Sequence, residues 1–324
     1  MTYPATAMRW ACRAYGGPDV LRFEEAPLCS PGPGEVLIGL CVTTVESADA
    51  RIRAQRMPSG FRLMGRAMFG FRRPRQPVLG GQAAGVIIAV GVGVTRWRVG
   101  DEVLVVRGIK MGCHAEYLLI DDDALMVEKP AGLSFADAVS LPFGGLVALD
   151  YLRRARVKSG ERMLVLGASG SVGTAFVQLA KYWGAHVTAS TSEGNIALLL
   201  GLGADAVIDY RRQPYTDEQQ CWDIIVDTVA ASSFADARPR LNEGGRYLAI
   251  AGGLLDLFAR RRGTKRSLAG PATERIDDLR ELLHLAEHGA VRAVIDSRYD
   301  FGDLPAAHAR ADSGRKRGSL VINV

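Results

Sequence analysis

Seven residues, Gly167-Ala-Ser-Gly-Ser-Val-Gly173, carry the clearest chemistry in this chain. They follow an apolar run, Arg162-Met-Leu-Val-Leu166, and open an amphipathic stretch, Thr174 to Gly184, after which a second apolar run covers Ala185 to Ser190. Strand, glycine-rich turn, helix and strand in that order let backbone come close to a pyrophosphate and aim the first helical amides at an anion. The loop reads Ala-x-Gly-x-x-Gly, with Ala168 in the first glycine position of the usual fingerprint. Gly170 is expected to admit the pyrophosphate and Gly173 to allow close helix packing, with Ser169, Ser171 and Val172 completing the cradle. A glycine turn needed only to start a helix is the plainer alternative. The expectation is a dinucleotide-binding chain.

Which dinucleotide depends on the end of the next strand, where an acidic residue would hold the ribose hydroxyls of NAD. Here the residues are Ser190, Thr191 and Ser192, which can donate hydrogen bonds to a 2′-phosphate without repelling it. NADPH is therefore expected, and Glu193 just beyond keeps NADH possible.

The elements that must position this loop are legible in the wider pattern. The chain has 324 residues and is 48% hydrophobic, enough for two domains or one large α/β unit. Up to about residue 125, short β-like runs at 35–42, 84–90, 101–106 and 115–120 are broken by Pro31-Gly-Pro-Gly34 and Gly91-Val-Gly-Val94, the pattern of a mostly antiparallel β domain. From Ser134, a predicted N-cap for a helix over 135–140, the period lengthens. Further strands are expected at 206–209, 223–227, 246–250, 293–295 and 319–324, and helices at 274–288 and 304–312. That alternation describes a doubly wound parallel sheet.

Composition narrows the function classes. The formal charge of +5 comes with basic residues gathered at 51–75, 260–266 and 315–317, and this clustering is expected to attract an anionic cofactor or aid solubility, not to bind nucleic acid. The five cysteines are scattered, with no CxxC pair, which fits a reducing compartment. No run approaches the roughly 20 apolar residues that span a bilayer, and the first residues lack a signal-type apolar stretch. A cytoplasmic protein with neither nucleic acid nor membrane as partner is expected.

The ordered motifs Gly17-Pro-Asp-Val-Leu21, Pro31-Gly-Pro-Gly-Glu-Val36, Val99-Gly-Asp-Glu-Val103, Leu141-Pro-Phe-Gly-Gly-Leu146, the loop at 167–173, Leu202-Gly-Ala-Asp-Ala-Val-Ile-Asp-Tyr210 and Gly318-Ser-Leu-Val-Ile322 resemble the medium-chain dehydrogenase/reductase superfamily, in particular its zinc-independent quinone oxidoreductases of the zeta-crystallin group. The resemblance implies an α/β fold with a GroES-like β-rich catalytic domain over 1–124, a Rossmann dinucleotide-binding domain over 125–288, a C-terminal return over 289–324, and the cofactor in the cleft between them. It implies Gly144 and Gly145, Thr228, and Gly252 and Gly253 on the nicotinamide side. It places Asn195 where relatives often carry a lysine or arginine, and Tyr210 at the adenosine phosphate, with Arg315 or Arg317 adding positive charge. A homodimer is implied, with residues 246–250 as a sheet edge through which it could join.

The departures matter as much. Where zinc-dependent relatives place a ligand cysteine and a His-Glu pair, this chain has Glu46 and Gly81, and the four-cysteine lobe is missing, so no metal is expected. Without a Lewis acid, hydride is expected to pass to a small acceptor that takes it readily, a quinone, enone or other carbonyl compound. Residues 45–116 contain no tyrosine, which leaves Asp49, Arg51 and His114 as proton-donor candidates, or water. Asp49 reads equally as part of a helix-turn ion pair and His114 as a bonded strand residue. The long segment 57–77, mixing Phe, Met and Arg, is expected to border a substrate entrance or to be a basic surface loop or dimer contact. An enoyl or aldehyde reductase or alcohol dehydrogenase is the alternative enzyme, and an NADP(H)-binding sensor or scaffold the alternative of another class.

Overall fold

Alternating β-branched residues and interrupting glycines fold the first part of the chain into strands, and the computed structural model, which describes residues 3–258 and 261–324, shows two strands paired as a sheet of their own, β1 (Thr6–Cys12) and β2 (Leu21–Pro27). There follow β3 (Glu35–Val45), α1 (Ser47–Arg53), α2 (Arg62–Phe69), β4 (Gln82–Val90), β5 (Glu102–Val106), β6 (Tyr117–Asp121), β7 (Met126–Glu128) and α3 (Phe135–Ser140). Ser134 caps α3 as its side chain predicts, accepting from the Asp137 amide at 3.1 Å.

Next come α4 (Pro142–Ala155), β8 (Arg162–Leu166), α5 (Ser171–Tyr182), β9 (His186–Thr191), α6 (Ile196–Gly201), β10 (Ala206–Asp209), β11 (Trp222–Asp227), α7 (Phe234–Ala237), β12 (Leu241–Ala249), β13 (Arg261–Arg262) and β14 (Lys265–Ala269). The chain ends with α8 (Ile276–Glu287), β15 (Ile295–Asp300), α9 (Leu304–Asp312) and β16 (Ser319–Asn323).

Two units result. The first comprises Met1–Met57, Leu63–Pro142 and Arg275–Val324, and the second Pro58–Arg62 and Phe143–Glu274. The first is built on a sheet ordered β15-β16-β3-β4-β5-β7, with β6 also paired to β3. Its strands bury Val45, Leu79, Leu320 and Ile322 against α9 residues Leu304 and Ala307 in one cluster, and Val36, Ile38, Ile87, Val103 and Met126 in another. Pairing is antiparallel except between β15 and β16.

The second unit has the order β10-β9-β8-β11-β12-β14-β13, parallel except for the last pair. Counting along the chain from β8 and leaving out the two-residue hairpin strand β13 at the edge, this is 3-2-1-4-5-6, the order of a dinucleotide-binding sheet. The expected class, a β-rich unit with a doubly wound α/β unit, is what the chain forms. Two expectations are corrected. Residues 246–250 do not form a sheet edge, because β14 pairs with β12 along Arg246–Ala249. The apolar run at 293–295 is mostly an approach to a strand, since pairing with β16 starts only at Ile295 opposite Ser319.

Candidate functional site

In the second unit, β8 and β11 are neighbours, and the strand order reverses between them, the place where open α/β sheets bind ligands. Immediately after β8, Gly167 turns with φ +71°, and a Cβ there would stand 2.5 Å from a Val229 methyl. The Ala168 amide donates to the Ser190 carbonyl at 3.1 Å, tying the loop to the end of β9. Gly173 is required by packing: a Cβ would come within 2.4 Å of the Gly167 oxygen and 2.6 Å of the Ala168 Cα. Gly144 serves likewise, since its Cβ would lie 2.2 Å from the Ser171 oxygen, so α4 abuts the start of α5; Gly145 follows, buried.

Gly170 is the exception. Its φ is −77°, open to any residue, and an added Cβ would meet only the Gly167 oxygen at 3.7 Å. Neither its backbone conformation nor the space around it requires glycine there. This same residue is the N-cap of the 12-residue α5 and provides no side-chain cap. A helix start without a side-chain cap, behind a residue with no side chain, leaves room for an external anion on the first-turn amides of Ser171 to Gly173.

The walls of this cradle are fixed by hydrogen bonds. Thr228 donates from its hydroxyl to the Leu166 and Gly167 carbonyls at 2.9 and 3.3 Å. Buried Asp227 accepts from the amides of Val229, Ala231 and Ser232 at 3.0, 3.1 and 2.8 Å and from the Tyr247 hydroxyl at 2.9 Å, which holds the loop after β11. Burial, reinforced by that carboxylate, pushes the Tyr247 hydroxyl far above the usual phenol range, so it stays a donor. Gly252 and Gly253 follow β12; the Gly253 amide donates to Asp256 at 2.7 Å, and the Leu254 amide to the Ser59 carbonyl at 2.9 Å.

A second cluster lies at the ends of β9 and β10. The Asn195 amide nitrogen is within 3.2 to 3.3 Å of the hydroxyls of Ser169, Thr191 and Ser192, while its Oδ1 is buried and accepts no hydrogen bond from the described residues. Ser190 is buried in β9, and the Tyr210 amide donates to the Thr191 carbonyl at 3.1 Å. Two residues absent from the sequence reading join here. The Arg211 guanidinium stands 6.0 Å from the Tyr210 ring centre, and Arg212 pairs with Glu193 at 2.8 Å and with Asp209, the last residue of β10, at 3.7 Å. Their signal was available, as two arginines directly after the tyrosine.

The remaining candidates belong to the first unit. Asp49 is the third helical residue of α1 in a capping box with Glu46: its Oδ2 accepts from the Glu46 amide at 2.7 Å and its Oδ1 from Gly80 at 3.2 Å. Its partners are backbone amides and not the arginines of α1. Burial raises its carboxyl to about 7. His114 is fully buried, with Nε2 3.0 Å from the Thr44 carbonyl, and burial lowers its ring to about 4. Gly80, at φ +91°, makes room for that ring, since a Cβ would come within 2.5 Å of its Cδ2. Arg51 is exposed on α1, and Arg315 and Arg317 are exposed in the turn between α9 and β16. Asp49 and His114 are thus held as parts of the scaffold.

The positions where zinc-dependent relatives carry ligands do not fit a metal. Glu46 accepts from the buried Lys316 ammonium at 2.7 Å, so a protein cation already stands against this carboxylate. Gly81 has no ligand atom, Gln82 donates to the Val139 carbonyl at 2.6 Å, and burial pushes the Cys113 thiol up to about 12, away from the thiolate that binds metals. Among the described residues, no three His, Cys, Asp or Glu side chains converge as a metal site would require.

Comparison with known proteins bears out the two-unit fold. Residues 32–147 match the alcohol dehydrogenase GroES-like domain, and residues 202–322 match a family described as zinc-binding dehydrogenase. The chain is 30% identical to a 2-methylene-furan-3-one reductase of Solanum lycopersicum, over all of this chain and 80% of that protein. It is 28% identical to a chloroplast envelope quinone oxidoreductase homolog of Arabidopsis thaliana, over 95% of each. Among solved structures, the quinone oxidoreductase from Coxiella burnetii superposes with a TM-score of 0.88 at 27% identity, over 98% of this chain and 99% of that one. With a doubly wound unit, a GroES-like unit and relatives matched along its whole length, the chain belongs to the medium-chain dehydrogenase/reductase superfamily of oxidoreductases, beside quinone oxidoreductases and enone reductases.

Proposed function

We propose that the protein is a reductase that uses NADPH, without a metal, to reduce a quinone or another activated alkene or carbonyl compound. The cofactor half rests above all on one observation, the start of α5 without a side-chain cap behind Gly170, a glycine that neither φ nor packing requires. The acceptor half draws on the relatives, which are named for furanone and quinone reduction. The nicotinamide, when bound, supplies the hydride. The chain's own work is then to hold, align and keep dry: the amides of Ser171 to Gly173 bind the pyrophosphate, and the loop braced by Asp227 and Thr228 shapes the sheet end beside it.

NADPH is preferred over NADH because the end of β9 offers the hydroxyls of Thr191 and Ser192 and the amide of Asn195, with Arg211 and Arg212 beside Tyr210, and because Glu193 is already neutralised by Arg212. Tyr210, Arg315 and Arg317 are further candidates for the phosphate end. Asp49 and His114 are committed to backbone groups, so the proton that completes the product comes from solvent.

The test is the loss of reduced-nicotinamide absorbance with NADPH or NADH and a panel of ortho- and para-quinones, α,β-unsaturated ketones and simple aldehydes, with and without a chelator. Chelator-insensitive NADPH consumption with quinones or enones is the expected result. Tight NADPH binding with no acceptor consumed would instead mark a sensor or scaffold, and loss of turnover on chelation would contradict the metal-free reading.

A further inference from the structure

We propose that α2 and the turn after it form a docking surface for an anionic lipid bilayer. Helix α2 turns an apolar face to solvent. Helix α2 packs inward through Gly65, where a Cβ would meet Met57 at 2.5 Å, and through Phe69, which lies against the core containing Leu320 and Ile322. On its other side Leu63, Met64 and Met68 are 73%, 50% and 47% exposed, and Phe71 just beyond is 59% exposed. At 3.6 residues per turn the three helical side chains fall within one face about 140° wide, and Phe71 follows just beyond the helix. Large flexible apolar side chains in water, contiguous on a short helix, mark a surface that meets something apolar.

Charge complementarity identifies the occupant. Residues 50–100 contain no aspartate or glutamate, and Arg62, Arg66, Arg72, Arg73 and Arg75 flank the apolar stripe. Arg62, Arg72, Arg73 and Arg75 are exposed, and among the described residues no carboxylate pairs with any of the five; Arg66 donates to the Gln55 side chain at 3.3 Å. Apolar side chains ringed by unpaired guanidinium groups match the acyl boundary and the phosphates of an anionic leaflet. The same stretch is far too short to cross a bilayer, and no described helix is long and apolar enough to do so. The surface thus lies on a membrane without spanning it. The proposal does not depend on the redox reading.

The experiment is flotation of the full chain with phosphatidylcholine vesicles and with vesicles containing phosphatidylglycerol, alongside Arg72→Ser/Arg73→Ser/Arg75→Ser and Leu63→Ser/Met64→Ser/Met68→Ser. All six positions are exposed, so the variants should unfold at the parent's temperature, which a melt verifies. Expected are binding to the anionic vesicles alone, a roughly 100-fold loss of partitioning for the triple arginine variant, and at least a roughly tenfold loss for the apolar one. No binding to anionic vesicles would overturn the proposal. So would binding that survives the apolar substitutions, which would be plain charge attraction, or a dimer in solution that those substitutions dissolve without any vesicle binding, which would give the face to a second copy.

Discussion

Gly170 and Gly173 stand three residues apart in one loop, yet they are glycines for opposite reasons, and alanine at each separates binding from folding. At Gly173 a Cβ would collide with the backbone of Gly167 and Ala168, and neither can retreat without pulling α5 from β8. Gly173→Ala should cost about 2 kcal/mol or more of stability, read as a lower urea midpoint. At Gly170 the new methyl meets open space at an ordinary φ, and the lost freedom of the unfolded chain offsets the poorer alanine N-cap, so Gly170→Ala should change stability by no more than about 1 kcal/mol. The same methyl stands before the first-turn amides, and the Kd for NADPH should rise at least about tenfold, about 1.4 kcal/mol, by fluorescence titration. Unchanged NADPH affinity in Gly170→Ala would show that the glycine serves something else. Arg211 and Arg212 have a residue-scale consequence too. Arg211→Ser/Arg212→Ser removes two cations beside Tyr210 and frees Glu193, so the ratio of NADPH to NADH affinity should fall about tenfold or more, with NADH affinity itself little changed. Equal weakening of both cofactors would place the arginines elsewhere than at the 2′-phosphate.

At the scale of elements, α1 and the segment leading into β6 each bury a titratable group, and the two respond to acid with opposite sign. Asp49, in the α1 capping box, is raised from 3.8 to about 7, so between those values the folded state holds more protons than the unfolded one, and its contribution to stability falls as pH rises. His114 is lowered from 6.5 to about 4, so between those values the folded state holds fewer protons, and its contribution falls as pH falls. Over the shared window the two oppose each other. Relative to the parent, Asp49→Asn should therefore lose stability on acidification from pH 7 to pH 4, and His114→Gln should gain it, each on the order of 3 kcal/mol. Urea midpoints at several pH values check this, and two variants tilting the same way would refute the assignment. These roles were only half legible in the sequence. The acid four residues into a turn, and a histidine in an apolar run, are visible there. That Asp49 reaches the Gly80 amide, that His114 reaches Thr44, and that Glu46 meets Lys316 depends on chain crossings that no local spacing encodes. Where the period is local the reading is close, as at α3 and α9, and where an apolar run is continuous, as through α4, the helix went unread.

For the whole molecule, the sheet of the second unit was legible because each strand, turn and helix announces itself in order, and right-handed crossovers leave few ways to assemble them. The first unit is different, because β16 lies inside its sheet, parallel to β15 and antiparallel to β3, pairing Leu320 with Val45 across about 275 residues of sequence. That placement predicts unequal responses to loss of the C-terminus. Deleting Ser319–Val324 removes Leu320, Val321 and Ile322, all fully buried, at about 1.5–3 kcal/mol each, and leaves β3 with an unpaired edge. The sum is comparable with the stability of an ordinary domain, so the first unit should unfold. The second unit takes no strand from that segment and closes its own core around Leu164, Ile225, Trp222 and Tyr247. Hydrogen exchange of the truncated chain should accordingly show lost protection over β3, β4 and β5, with protection kept over β8, β9 and β11 and deepened by NADPH. If protection vanished from both sheets together, the two units would be one cooperative body, and the dinucleotide cradle would depend on strands that contribute no residue to it.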